Sequence, residues 1–199
     1  CELLPADSLN GTSTMKGIAS HSDSEYSLVY TKYTVLQLGE YALERMLRIA
    51  HDTQAAMLYA DHYQVVKGNS SICPVIDYQP GSLRDDFDFG SVLLYRADLL
   101  RKAVDEMDKD YRFAGLYDLR LRVSCLGELV HINEYLYSEV EHDARKSGEK
   151  IFDYVDPKNR QVQIEMESAC TEHLKRIGGY LKPEFKDVVF NEGEFEYEA

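Results

Sequence analysis

Hydrophobic positions follow two rhythms along this chain, and the two alternate. Short unbroken runs at Tyr26–Tyr30 (YSLVY), 55–59 (AAMLY), 91–95 (SVLLY) and 129–132 (LVHI) predict strands buried on both faces. Between them, Leu38, Tyr41, Ala42, Met46, Ile49 and Ala50 fall on one helical face. Glu40, Glu44 and Arg48 take the rest, which predicts a helix ending near Asp52. Asp98 is the expected cap of a helix reaching about Asp108, with Leu99, Leu100, Ala103, Val104 and Met107 turned inward. Asp118, Leu119, Leu121, Arg122 and Val123 predict a helix of about a turn and a half, with Gly127 as a left-handed stop. Asp156-Pro157 opens and Gly178-Gly179 closes a last helix, striped by Val162, Met166, Ala169, His173, Leu174 and Ile177. One more helix is expected to start near Thr12 or Ser13.

Strand, long helix, strand in that order predicts a right-handed parallel crossover joining 26–30 to 55–59, and so an α/β domain with a mostly parallel sheet. Residues 67–71 read as a turn between two exposed strands. Residues 74–82, with Pro74, Pro80 and Gly81, read as irregular chain.

Composition narrows the function classes. At 199 residues and 44% hydrophobic, the chain suffices for one domain with a full core, or a domain plus a tail. A net charge of -13 and a pI near 4.9 argue against a nucleic-acid binder, which needs a basic face to displace counterions. Attachment to anionic lipid is disfavoured too, unless a local basic patch is hidden by the average. The four cysteines form no C-x-x-C pair, so free thiols in a reducing cytosol are expected. No run approaches the roughly 20 apolar residues that span a bilayer. P-loop, G-x-G-x-x-G, G-x-S-x-G and H-E-x-x-H motifs do not occur. The chain opens on Cys1 and ends in an alternating FEYEA, which reads as a fragment of a longer protein.

Residues 114–147 join a helix bearing D-L-x-L-R (Asp118, Leu119, Leu121, Arg122), a strand, the trio Tyr135-Leu136-Tyr137 and a charged tail. That order resembles the C-terminal half of the glycosyltransferase family 2 catalytic domain, over most of 26–147. It is most similar to chains of the Bacteroides type, in which tandem units occur. The resemblance implies a GT-A-like, Rossmann-type sheet, mixed but mostly parallel, flanked by helices and incomplete at its N-terminus. It implies that 1–155 form the glycosyltransferase domain, with 156–199 a helix and tail leading towards a further glycosyltransferase domain. The implied activity is transfer of a hexose from a nucleotide sugar to a glycan or lipid-linked acceptor for cell-surface polysaccharide, in the bacterial cytoplasm or at the inner face of the membrane.

Two departures from the family pattern bear on chemistry. The D-x-D carboxylates that hold Mn2+ or Mg2+ on the donor diphosphate match Thr31, Lys32 and Tyr33, and the E-D pair that supplies the base matches Gly115-Leu116. The remaining candidates for the base are Asp86 and Asp88, in the acidic loop with Asp85, and Asp118. The candidates for binding the donor and its metal are Lys32, Asp61, Arg122 and His142: Lys32 against the phosphate charge, Asp61 with His62 as a metal-ligand pair, and His142 beside Arg145, Lys146 and Lys150 in a segment that family members sometimes fold over the nucleotide. Each has a plainer reading. Lys32 is a solvated lysine, the acidic loop a solvated turn, Asp118 a helix-start carboxylate or arginine partner, and 142–150 a surface loop. Asp61 and His62 are adjacent on a strand and so point to opposite faces. A non-catalytic module that binds glycan, or supports a catalytic domain elsewhere in the chain, is the alternative function.

Overall fold

The computed structural model describes residues 8–141 and 160–184. Six strands form one sheet in the order β1-β5-β3-β6-β2, with β4 added to β3. They are β1 (Tyr26–Tyr30), β2 (Val35–Leu38), β3 (Met57–Val66), β4 (Asn69–Cys73), β5 (Val92–Arg96) and β6 (Leu129–Glu141). Only β3 with β6 is a parallel pairing; β1 with β5, β5 with β3, β3 with β4 and β2 with β6 are antiparallel.

The parallel Rossmann-type sheet expected from the alternation of elements is therefore not the fold. The chain is mixed α/β with a mostly antiparallel, nearly closed sheet. The predicted crossover fails because β5 lies between β1 and β3 and runs opposite to both. A doubly buried apolar run marks a strand but carries no direction, so periodicity alone did not exclude that insertion. The short link between the edge strands favours the curl. The edge strands β1 and β2 are joined by residues 31–34 alone, so their ends lie at most about 17 Å apart. Five flat strands would hold their edges about 19 Å apart. The Tyr30 hydroxyl meets Thr34 Oγ1 at 2.5 Å inside that loop.

Helices cover both faces. On one, α1 (Thr12–Ser20), α3 (Ala97–Asp105) and α4 (Gly115–Leu126) bring Met15, Leu100, Val104, Leu119 and Val123 onto Met57, Tyr59, Leu93 and Tyr95. On the other, α2 (Ala42–Thr53) lays Ala42, Met46 and Ala50 on Leu58, Ala60, Val92, Leu94 and Tyr137. Neighbours on β3 and β5 thus alternate between two cores, which explains their unbroken apolar runs. α1 crosses α4 so closely that a Cβ on Gly115 would collide with the backbone of residues 10–12. α5 (Arg160–Arg176) packs on α4 through Tyr117, Leu121 and Ala169, and the Asp156-Pro157 start expected for it lies outside the described residues.

Several elements depart from the sequence reading. α2 begins at Ala42 rather than Leu38, because Leu38 closes β2 and Tyr41 turns left-handed at φ 57. β3 runs ten residues, so Asp61 and His62 sit inside the strand rather than at its exit. Lys67 (φ 51) and Gly68 (φ 81) form the two-residue turn into β4, both left-handed as such a hairpin requires. α4 is 12 residues long and buried all round from Tyr117 to Val123. Gly127 is extended at φ 175 rather than left-handed; its missing side chain makes room for Ala56, whose Cβ would lie 3.1 Å from one. Among the described residues, no helix is long and apolar enough to cross a membrane.

Candidate functional site

The acidic loop before β5 returns over the α4 side of the sheet and encloses a cleft of about 190 Å³. Met57, Leu93 and Tyr95 of the sheet line it, as do Asp85, Phe87 and Asp88 of the loop and Tyr117 and Arg120 of α4. The loop is fastened from both sides. Tyr59 Oη donates to the Ile76 carbonyl at 2.8 Å and accepts from Tyr78 N at 2.7 Å, and burial pushes its phenol up to about 12. Arg120, 5% exposed, donates Nη1 to the Ser82 carbonyl and Nη2 to the Arg84 carbonyl at 3.0 and 2.7 Å. Its guanidinium lies 4.9 Å from the Tyr117 ring and 5.8 Å from Phe89, close enough for cation–π attraction. Phe89 in turn packs edge-on to Tyr59 and 4.4 Å from Phe87.

The two carboxylates in the cleft wall are Asp85 and Asp88. Asp88 Oδ1 accepts from Gly90 N at 2.8 Å, a local turn that sets its direction. Asp86 is engaged otherwise, gripped by Arg84 through two bonds of 2.9 Å, and it does not line the cleft. Tyr117 donates to the Leu83 carbonyl, and burial, then the neighbouring Cys170, raises its pKa. Of the three acidic loop residues singled out from sequence, the structure brings Asp85 and Asp88 to the cleft and not Asp86; it adds Tyr117 and Arg120. Arg120 is the variable position of D-L-x-L-R. Its signal in the sequence was a charge on a helix face that otherwise reads as core.

The remaining candidates are dispersed. Lys32 Nζ binds Glu139 Oε2 at 2.5 Å; the lysine side chain is 47% exposed and the glutamate 2%. His62 Nε2 approaches the other oxygen of Glu139 at 3.4 Å, without the alignment of a hydrogen bond, and its ring stacks on Tyr137. Asp61, on the opposite face of β3, accepts from Val75 N at 2.8 Å and meets His131 Nε2 at 2.9 Å. His131 Nδ1 meets Asp77 Oδ1 at 2.8 Å, so one imidazole joins β6 to the start of the loop. Asp118 is 1% exposed and accepts from Arg122 Nε at 2.9 Å, with Arg176 Nη2 3.6 Å from its other oxygen. The arginine partner left open by the sequence is thus present on both sides, and neither Asp118 nor Arg122 lines the cleft. His142, with Arg145, Lys146 and Lys150, lies outside the described residues.

The divalent metal implied by the resemblance finds no fit here. Thr31, Lys32 and Tyr33 stand at the positions of its carboxylates, and the Lys32 ammonium already occupies Glu139. Among the described residues, no three His, Cys, Asp or Glu side chains are grouped to hold a metal ion. In comparisons with known proteins, no family model and no curated protein matches this chain.

Proposed function

We propose that this chain is a glycosyltransferase-like unit that takes one sugar residue of a glycan acceptor into the cleft under the acidic loop. The observation that carries the reading is the pairing of Asp85 and Asp88 with the Phe87 and Tyr117 rings in a pocket of about 190 Å³. Aromatic faces take the apolar side of a sugar ring, and carboxylates accept its hydroxyl protons. The volume matters: sites for drug-sized ligands run about 300–1,000 Å³, so this one suits a single ring and not a nucleotide sugar. In the transfer, a hydroxyl held by Asp88 or Asp85 loses its proton to the carboxylate. Its oxygen then bonds the anomeric carbon of the donor sugar, and the nucleotide diphosphate leaves with the electron pair of the broken bond.

A second reading, a glycan-binding module without transferase chemistry, is favoured by the occupation of Lys32 by Glu139, which leaves no free cation at the position matching the donor site. The test measures sugar release from a panel of nucleotide hexoses in the presence of glycan and lipid-linked acceptors. Asp85→Asn and Asp88→Asn are compared with Asp86→Asn, whose carboxylate is held by Arg84 outside the cleft. Loss of about 100-fold or more in one cleft variant, with Asp86→Asn spared, is the expected outcome. Unchanged turnover in both cleft variants removes the base assignment. Saturable monosaccharide binding with no turnover of any donor decides for the second reading.

A further inference from the structure

On the far side of α4 from the acidic loop, the turn after α3 and the last two turns of α5 enclose a groove of about 360 Å³. Lys109, Arg122, Lys175 and Arg176 line it, with Asp108 and Glu172. In a chain of net charge -13 this is a local excess of cations. The carboxylates are shared. Glu172 Oε1 lies 3.1 Å from Lys175 Nζ and 3.5 Å from Lys109 Nζ, so one acid serves two ammoniums. Asp118, behind the groove, likewise serves two guanidiniums, bonding Arg122 at 2.9 Å and facing Arg176 only at 3.6 Å. Its Oδ1 is buried with no hydrogen-bond partner among the described residues, so the Arg176 contact is charge without a bond. Four cations face three carboxylates when Asp108 is counted.

Two neighbouring groups are shifted by these charges among other causes. The Lys175 bond, then the Lys109 charge, hold the Glu172 carboxyl below its usual range. His173, on α5 between these residues, is held below its ordinary value first by burial and then by Arg176, Arg120 and Arg122, against the single opposing charge of Asp118.

We infer that this groove is a binding site for a phosphate-bearing anion, with Arg176, Lys175 and Lys109 as its contacts and Arg122 as a fixed charge behind them. A phosphate carries up to two charges and three acceptor oxygens, which suits one guanidinium fork and two point-charge ammoniums. Arg122 is already committed to Asp118 and to the Glu106 carbonyl, so it supplies field and not a ligand bond. The source is either a free diphosphate or the phosphate headgroup of a lipid. The inference is independent of the sugar reading of the cleft, from which α4 separates it.

The probes are inorganic pyrophosphate, followed by calorimetry and amide NMR shifts, and sedimentation with vesicles of phosphatidylcholine with and without phosphatidic acid. Each is run on the whole chain and on Arg176→Gln, Lys175→Gln and a remote control, Lys16→Gln. Saturable pyrophosphate binding, with shifts centred on 108–111 and 172–176 and weakened roughly tenfold by Arg176→Gln, establishes the site for a free anion. Binding to acidic vesicles alone, lost in Arg176→Gln and kept in Lys16→Gln, establishes it for a headgroup. Absence of both, or binding equally weakened by Lys16→Gln, overturns it. Near-native amide spectra of the variants separate a lost ligand from a lost fold.

Discussion

Gly90, at the turn from the acidic loop into β5, is the position where cleft, sheet and second core meet. Its φ of 69 is left-handed, and a Cβ there would collide with the Tyr137 hydroxyl and lie 3.3 Å from the Ala60 carbonyl and 3.4 Å from His62 Nδ1. That hydroxyl accepts from Ser91 N at 2.8 Å and Val92 N at 3.4 Å, the two amides that start β5. Gly90→Ala therefore incurs about 1–2 kcal/mol for the backbone conformation. It incurs about 1–3 kcal/mol more if Tyr137 swings away and leaves the Ser91 amide buried without a partner. A total of about 3 kcal/mol corresponds to a fall in Tm of roughly 6–12 °C for a domain of this size. Tyr137→Phe removes the colliding atom but also the acceptor, so it alone costs about 1–3 kcal/mol. The double variant loses the amide's partner only once and is relieved of the collision. The thermal unfolding cycle should then show coupling of about 1 kcal/mol or more. Additivity of the two substitutions within about 0.5 kcal/mol would refute the collision, and an unchanged stability of Tyr137→Phe alone would refute the claim that Tyr137 holds the loop's exit.

Two further outcomes follow from buried charges. Lys32→Met leaves Glu139, 1% exposed, without its ammonium; because the lysine is itself nearly half exposed and screened, a loss of about 1–2 kcal/mol is expected in denaturant unfolding. Lys32→Met combined with Glu139→Gln should restore much of that loss, and failure to do so would show that Lys32 acts through something other than the pair. His173 has a folded pKa below its unfolded value of about 6.5, so the unfolded chain binds the proton first. Its contribution is fully present above about pH 6.5 and is lost as pH falls through the depressed folded value. Tm measured from pH 7.5 to 5 should fall less steeply in His173→Gln than in the parent chain, and parallel curves would remove His173 as the source.

The cleft was half legible. Asp85 and Asp88 stood out as candidates because like charges crowd in the acidic loop, and both line the cleft. Asp86 carried the same signal yet turns to Arg84, since neighbours in an irregular loop diverge by backbone angles that composition does not encode. Arg120 and Tyr117 were hidden by their own helix. Buried on every side, α4 displays no amphipathic stripe, so no pattern of faces set apart these two residues, which line the cleft. Asp118 and Arg122 stood out as a motif pair, and they are indeed bonded to each other, four residues apart on one helical face.

Element identity was a local matter, and the amino-acid order determined most of it. Unbroken apolar runs became strands, 3-and-4 spacing became helices, and Lys67-Gly68 became a turn, because each depends on burial and backbone sterics within a few residues. Sheet order and direction were decided only in three dimensions. Nothing within YSLVY or SVLLY states that β5 inserts antiparallel between β1 and β3, since a strand buried on both faces is satisfied by either direction. Long-range packing supplies the rest: the short link from β1 to β2 ties the two sheet edges together, and the long return over the acidic loop lets β5 enter between β1 and β3 with its side chains in both cores. The same packing set Asp85 beside Tyr117 and Arg176 beside Asp118, proximities between segments far apart in the chain that only tertiary structure creates.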